Sequence, residues 1–113
     1  MKRNVRKHFQ KGDRDANESE ITAVLKAANE PYSLLPTGFG ADIIGKSNPM
    51  YWIEVKTATG KLTEVEKALK WDCEQRGIEY YILRTGEETA AMLALRTARA
   101  ELNRASPMPE REG

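Results

Sequence analysis

One cysteine and one histidine in 113 residues set the first limits on this chain. Cys73 alone cannot close an internal disulfide, which excludes a disulfide-stapled scaffold and fits a reducing compartment. His8 stands in a basic stretch with no partner at metal-ligand spacing, so a solvated or phosphate-contacting role is expected of it. No apolar run approaches the roughly 20 residues that a membrane helix needs. The opening residues, Met1-Lys2-Arg3-Asn4-Val5-Arg6, carry no apolar core, and no signal peptide is expected. Cytoplasmic location follows as the expectation, in a bacterial or phage-infected host cell. There is no internal repeat, and no excess of one charge: 18 basic residues face 17 acidic ones, for a net charge of +1. Global charge therefore does not announce a nucleic-acid binder.

What is present reads as one α/β domain. Hydrophobic residues at 40% and charged residues at 31% are ordinary for a globular chain, and the length suits one core. Residues 1–16 read as a flexible basic arm, with Lys2, Arg3, Arg6, Lys7, Lys11 and Arg14 opposed only by Asp13 within its first 14 residues. Such an arm can track phosphates or simply remain solvated. Residues 17–104 form the expected domain, and residues 105–113 a disordered tail.

Within the domain, Asn17 is expected to cap a first helix, with Glu20 completing a capping box. Ile21, Val24, Leu25 and Ala28 make its apolar stripe, and Pro31 stops it. Tyr32–Leu35, Ala41–Ile44 and Met50–Thr57 read as three strands separated by glycine and proline turns. A second helix starts at Thr63, boxed with Glu66, and ends at Gly77. Val65, Leu69 and Cys73 line one of its faces. Ile78–Leu83 reads as a fourth strand, apolar on both faces except at Glu79 and therefore expected at the centre of the sheet. A last helix runs from Glu87 to Asn103. The segment between the third and fourth strands is long enough for a parallel crossover, so a mixed sheet is expected.

Alternation along the third strand carries the chemistry. Met50, Trp52, Glu54 and Lys56 share one face, and the uniformly apolar Tyr51, Ile53 and Val55 share the other. Glu54 and Lys56 then lie side by side in an otherwise apolar sheet, where charge is costly unless paired or metal-bound. Taken alone, an exposed Glu-Lys pair explains them. Asp42 is a second isolated carboxylate in an apolar run, and a hairpin across Gly45–Pro49 brings it close to Glu54. Two carboxylates held together share a proton or bind a cation. Oxygen ligands suit Mg²⁺, which polarises a phosphodiester and lowers the pKa of an attacking water. Lys56 can position that water or stabilise phosphate charge.

Gly40-Ala41-Asp42, followed after about a dozen residues by Ile53-Glu54-Val55-Lys56, resembles the bipartite motif of the PD-(D/E)XK nuclease superfamily. Residues 38–84 resemble its VRR-NUC branch more narrowly, through Glu54-Val55-Lys56-Thr57, Gly60-Lys61-Leu62-Thr63, the helix ending at Gly77 and the strand Tyr80-Tyr81-Ile82-Leu83. The order of elements also fits. The resemblance implies a restriction-endonuclease-like αβββαβ core, with a central mixed sheet flanked by helices and an extra C-terminal helix. It implies a Mg²⁺-dependent endonuclease acting on DNA, with Mn²⁺ as a substitute, selective for branched or flapped structure rather than sequence. Asp42, Glu54 and the Val55 carbonyl would bind the metal, and Lys56 would orient the nucleophile. A glutamate on the first helix would assist; Glu18 is chosen, because Glu20 has its capping box. Two departures stand out. Ala41 replaces the usual proline, and Glu66 occupies the place of a glutamine. Glu66 either reaches a metal-bound water or only caps its helix, and both readings stand.

Other residues admit blander roles. Trp52 can stack on a base, but packing under a helix is preferred. Cys73 reads as a core thiol. Lys61, Lys67 and Lys70, like Arg96, Arg99 and Arg104, either meet phosphates or are solvated. Of these, Lys61 joins Lys2, Arg3, Arg6 and Lys7 as a DNA-contact candidate. Met92, Leu93, Leu95 and Leu102 offer a face for a homodimer or higher homo-oligomer. The competing function is a non-catalytic nucleic-acid-binding or assembly module with the same fold. A third reading is a structural domain whose charged strand is simply exposed.

Overall fold

The computed structural model describes residues 16–36 and 38–105. The basic arm with Lys2, Arg3, Arg6, Lys7 and His8, and the tail beyond residue 105, lie outside the described residues. The elements are α1 (residues 16–27), β1 (Tyr32–Leu34), β2 (Ile43–Gly45), β3 (Tyr51–Val55), α2 (Glu64–Arg76), β4 (Glu79–Leu83) and α3 (Gly86–Ala105). They build an α/β fold around one four-stranded mixed sheet of order β1-β2-β3-β4. The first two pairings are antiparallel. The pairing of β3 with β4 is parallel, with α2 supplying the crossover.

The apolar face of β3 forms as alternation predicts. Tyr51, Ile53 and Val55 are fully buried and join Ile43 and Leu83 against Ile21 and Leu25 of α1 and Met92 of α3. Helices α1 and α3 thus cover one face of the sheet. The opposite face, which carries Glu54 and Lys56, looks toward α2, whose Glu66 reaches Lys56. Gly45 is dictated by close approach. A Cβ there would fall 2.1 Å from the ring of Tyr51, so any side chain would expel that ring from the core.

Helix α1 departs from its expected ends. Residue 16 is already helical, so Asn17 is not the cap and Glu20 closes no capping box. Glu20 instead accepts the Gly86 N–H at 2.8 Å, satisfying an orphan donor at the start of α3. At the other end, Asn29 takes a left-handed φ of 58°. Its N–H bonds the Lys26 carbonyl, and the Glu30 N–H bonds the Leu25 carbonyl. This is a Schellman closure with asparagine in glycine's usual place, so the helix ends before Pro31 can act. Helix α2 matches expectation: Thr63 and Glu66 form the reciprocal capping box, and Gly77 is the left-handed cap.

Strand β4 lies at the edge, not the centre, of the sheet. Its two apolar faces arise because α2 packs on one and α3 on the other, which makes a second neighbouring strand unnecessary. On α3, Met92 enters the core while Leu95 and Leu102 remain exposed. No helix among the described residues is long and apolar enough to cross a membrane.

Candidate functional site

The candidate site lies at the C-terminal end of β3, between the approach to β2 and the start of α2. Asp42 sits just ahead of β2 rather than within it. Its N–H reaches the carbonyl of Ile53, the residue already opposite Ile43 in the ladder. Two residues of one strand thus address one of the other, as in a β-bulge, and the Asp42 side chain is re-aimed. Its Oδ2 accepts the Val55 N–H at 2.8 Å, standing in for a ladder carbonyl. The next amide, from Lys56, turns the other way to the Leu83 carbonyl at 3.1 Å. Asp42 is thereby fixed to the backbone between Glu54 and Lys56.

Glu54 is only 2% exposed. Burial raises its carboxyl most, and a hydrogen bond with Glu66 and the charges of Asp42 and Glu66 add to that. Lys56 opposes them, and the balance lies at about 9 against an ordinary 4.5. Glu54 therefore holds a proton at neutral pH. Lys56 Nζ lies 2.8 Å from Glu66 Oε1 and 3.4 Å from Glu54 Oε2. Burial pulls the Lys56 ammonium down, but these contacts prevail and hold it above its usual range. Burial pushes Glu66 up. The hydrogen bond from Lys56, with those from the Thr63 N–H and Glu54, outweighs that and leaves it below the usual carboxylate range.

Glu66 caps its helix, as one of the two sequence readings has it, and in addition meets Lys56. The same Oε1 that meets Lys56 also accepts the Thr63 N–H at 2.8 Å, so the capping carboxylate is part of the charged cluster. Tyr80 was missed. Its hydroxyl donates to the Gly40 carbonyl at 2.7 Å, and burial with the charges of Glu54, Glu66 and Asp42 keeps the phenol protonated. The signal for it is the parallel register, which sets Tyr80 beside Trp52 on the face of Glu54. Gly40 itself takes a φ of 101° and lies so close to Leu69 that a Cβ would come within 3.1 Å.

Asn17 is the second omission. Its amide donates to the Lys56 carbonyl at 2.8 Å, tying the first described turn of α1 to the end of β3. Glu18 follows it, half-buried, at this same end of the sheet. Lys61 is exposed, and Lys67 and Lys70 pair with Glu64 and Glu74 on their own helix.

Other candidates take structural places. Trp52 is half-buried, its ring 5.2 Å from that of Phe39. It also lines a cavity of about 320 Å³ with Ile44, Met50 and Ile78. Cys73 is a buried thiol, as expected. Val65 does not share that burial and is 55% exposed. Arg96 is neither solvated nor placed to meet phosphate. It bonds Glu79, the Pro49 carbonyl and Ser47, and lies 4.0 Å over the Tyr51 ring.

Among the described residues, no three His, Cys, Asp or Glu side chains are arranged to hold a metal ion. The donor set that is present consists of hard oxygens. A carboxylate and a proton-bearing carboxyl adjoin, and their proximity is itself a reason for the proton on Glu54. That chemistry fits a divalent cation of the Mg²⁺ type, which needs only one or two protein carboxylates and completes its shell with water and phosphate oxygens. No family model, no curated protein and no solved structure matches the chain.

Proposed function

We propose that this chain is a metal-dependent nuclease of the PD-(D/E)XK type, VRR-NUC-like, with a restriction-endonuclease-like core. It hydrolyses DNA phosphodiester bonds with preference for branched or flapped structure. The observation that carries the proposal is the convergence of Asp42, buried Glu54 and Lys56 at one strand end. Asp42, Glu54 and the Val55 carbonyl are the groups that would hold Mg²⁺ or Mn²⁺. The bound ion supplies Lewis-acid polarisation of the phosphodiester and a more acidic water.

The chain's own residues do the rest. Asp42, anchored by the Val55 N–H, fixes the distance between the carboxylates. Glu54 would serve as a ligand to such an ion only in its deprotonated form, so it is the group that would have to release a proton. Lys56, kept charged by its carboxylate neighbours, orients the attacking water and offsets charge growing on the phosphate. Glu18, at the same end of the sheet, would assist from α1. The small domain has little surface for reading base edges, which favours recognition by backbone and shape. Lys61 and the arm residues Lys2, Arg3, Arg6 and Lys7 would contact phosphates. A homodimer would supply two sites for paired cuts.

The test is incubation with supercoiled plasmid and with flapped, four-way and linear duplexes in Mg²⁺, Mn²⁺ or EDTA. Cutting should require the ion, and Lys56→Ala should lower it by ~100-fold or more. Intact substrate throughout, in wild type as in Lys56→Ala, rejects catalysis. Full activity in Asp42→Asn rejects the metal assignment. A non-catalytic nucleic-acid-binding or assembly module draws support from the near-complete burial of Glu54. That module would shift DNA in gels with or without metal and cut nothing.

A further inference from the structure

We infer that Glu66 is a positioning residue, using the helix cap of α2 as a rigid mount that aims the Lys56 ammonium. The inference deepens the nuclease reading and rests on it for its catalytic consequence. A lysine side chain just past a strand end has four rotatable bonds, so a lone Lys56 would spread its charge over many positions. Three features restrict it. Glu66 Oε1 lies 2.8 Å from Nζ, Glu54 Oε2 lies 3.4 Å from it, and the side chain is only 14% exposed. The nearer contact is the one held from elsewhere. Glu66 Oε1 is fixed by the Thr63 N–H at 2.8 Å, and the Glu66 N–H returns to Thr63 Oγ1 at 3.2 Å. A residue at the third position of a helix cannot swing while both halves of its capping box are made.

The arrangement also separates two duties. Glu54 faces Asp42 and would be drawn to a cation, so its contact with Lys56 is not a dependable anchor. Glu66 also shares a hydrogen bond with Glu54, but it stands on another element and has its own anchor in the Thr63 N–H, so its hold on Lys56 does not depend on Glu54 alone. An aspartate at this position would be one methylene shorter. A glutamine would retain an oxygen for both the Thr63 N–H and Lys56 while giving up the charge.

The experiment compares Glu66→Ala, Glu66→Gln and Gly77→Ala in the full chain, using a flapped duplex with Mg²⁺. Gly77→Ala strains the left-handed cap at the far end of α2 and serves as the control for helix destabilisation. Glu66→Ala should lower kcat by ~100-fold, in keeping with loss of a reacting group's alignment, while KM changes little. Glu66→Gln should restore most of that loss, and Gly77→Ala should keep kcat per folded molecule. A second readout does not depend on cutting. The ¹⁵N–¹H signal of the Lys56 ammonium, visible only when its protons are held from exchange, should persist in wild type and Glu66→Gln and vanish in Glu66→Ala. Equal kcat losses in Glu66→Ala and Gly77→Ala overturn the inference, as does failure of Glu66→Gln to restore activity. A Lys56 signal that survives in Glu66→Ala overturns the mount even if the protein cuts nothing. Absence of cutting in wild type with the expected signals overturns the nuclease reading alone.

Discussion

At the scale of single residues, the proton on Glu54 has a measurable consequence. The folded chain holds it up to about pH 9, against 4.5 for an ordinary glutamate, because burial and neighbouring charge disfavour the anion. Between those values the folded state binds more protons than the unfolded chain, so stability falls as pH rises. The contribution is complete below about pH 4.5 and is lost as pH passes through about 9. Glu54→Gln imitates the protonated form and should flatten this decline in EDTA, leaving the variant more stable than wild type at pH 8. Divalent ions should then raise the melting temperature of wild type at pH 8 but not that of Glu54→Gln. Parallel melting curves for the two proteins from pH 5 to pH 9 would remove the argument. The Glu54-Lys56 pairing was legible in the sequence because strand alternation is a local property. Tyr80 and Asn17 were not, because each enters the site through a contact about 40 positions distant along the chain.

At the scale of elements, helix α2 was readable from end to end, since its capping box and glycine stop are local chemistry. Helix α1 misled for the same reason. Asn17 and Glu20 have capping-box spacing, yet a helix that begins earlier frees both side chains for other elements. Glu20 goes to α3, where it meets the Gly86 N–H at 2.8 Å, and Gly86 is so close that a Cβ would come within 3.1 Å of Glu20 Cγ and Val24 Cγ2. The carboxylate also sits at the positive end of the α3 dipole. Glu20→Ala should therefore destabilise the protein by about 1 kcal/mol, near the middle of the range for a lost cap. Hydrogen exchange at the Gly86 amide should quicken in parallel. Unchanged exchange there would show that α3 is capped by other means. The strand order was the other misreading. A strand buried on both faces by helices looks the same in sequence whether or not it has two strand neighbours, and β4 has only β3.

At the scale of the whole molecule, the sheet carries polar clusters at opposite ends, and they do opposite things. At the Asp42–Glu54–Lys56–Glu66 end, burial first and the neighbouring carboxyl groups second push the Glu54 carboxyl up to about 9, so this end favours a proton on Glu54. The other end is saturated by a cation already in the chain. Arg96 of α3 pairs with Glu79 of β4, donates to the Pro49 carbonyl at 2.8 Å, and covers the ring of Tyr51. Tyr51 in turn donates to Glu30 at 2.6 Å, which also accepts Ser47 at 2.9 Å. One guanidinium thus ties α3 to β3, β4 and the β2–β3 turn, and through Tyr51 to the end of α1. Its spacing on a polar helix face gave no hint of this, since solvated arginines have the same pattern. Arg96→Ala should lower unfolding free energy by about 2–3 kcal/mol, less than the ~3–5 expected for a fully buried pair. The discount arises because Glu79 stays 24% exposed and recovers some hydration. Urea unfolding of Arg96→Ala, Glu79→Ala and the double variant measures the coupling directly. Additive losses would mean that Arg96 acts through Tyr51, Pro49 and Ser47 rather than Glu79, and a drop in DNA affinity without loss of stability would return Arg96 to the phosphate-contacting surface.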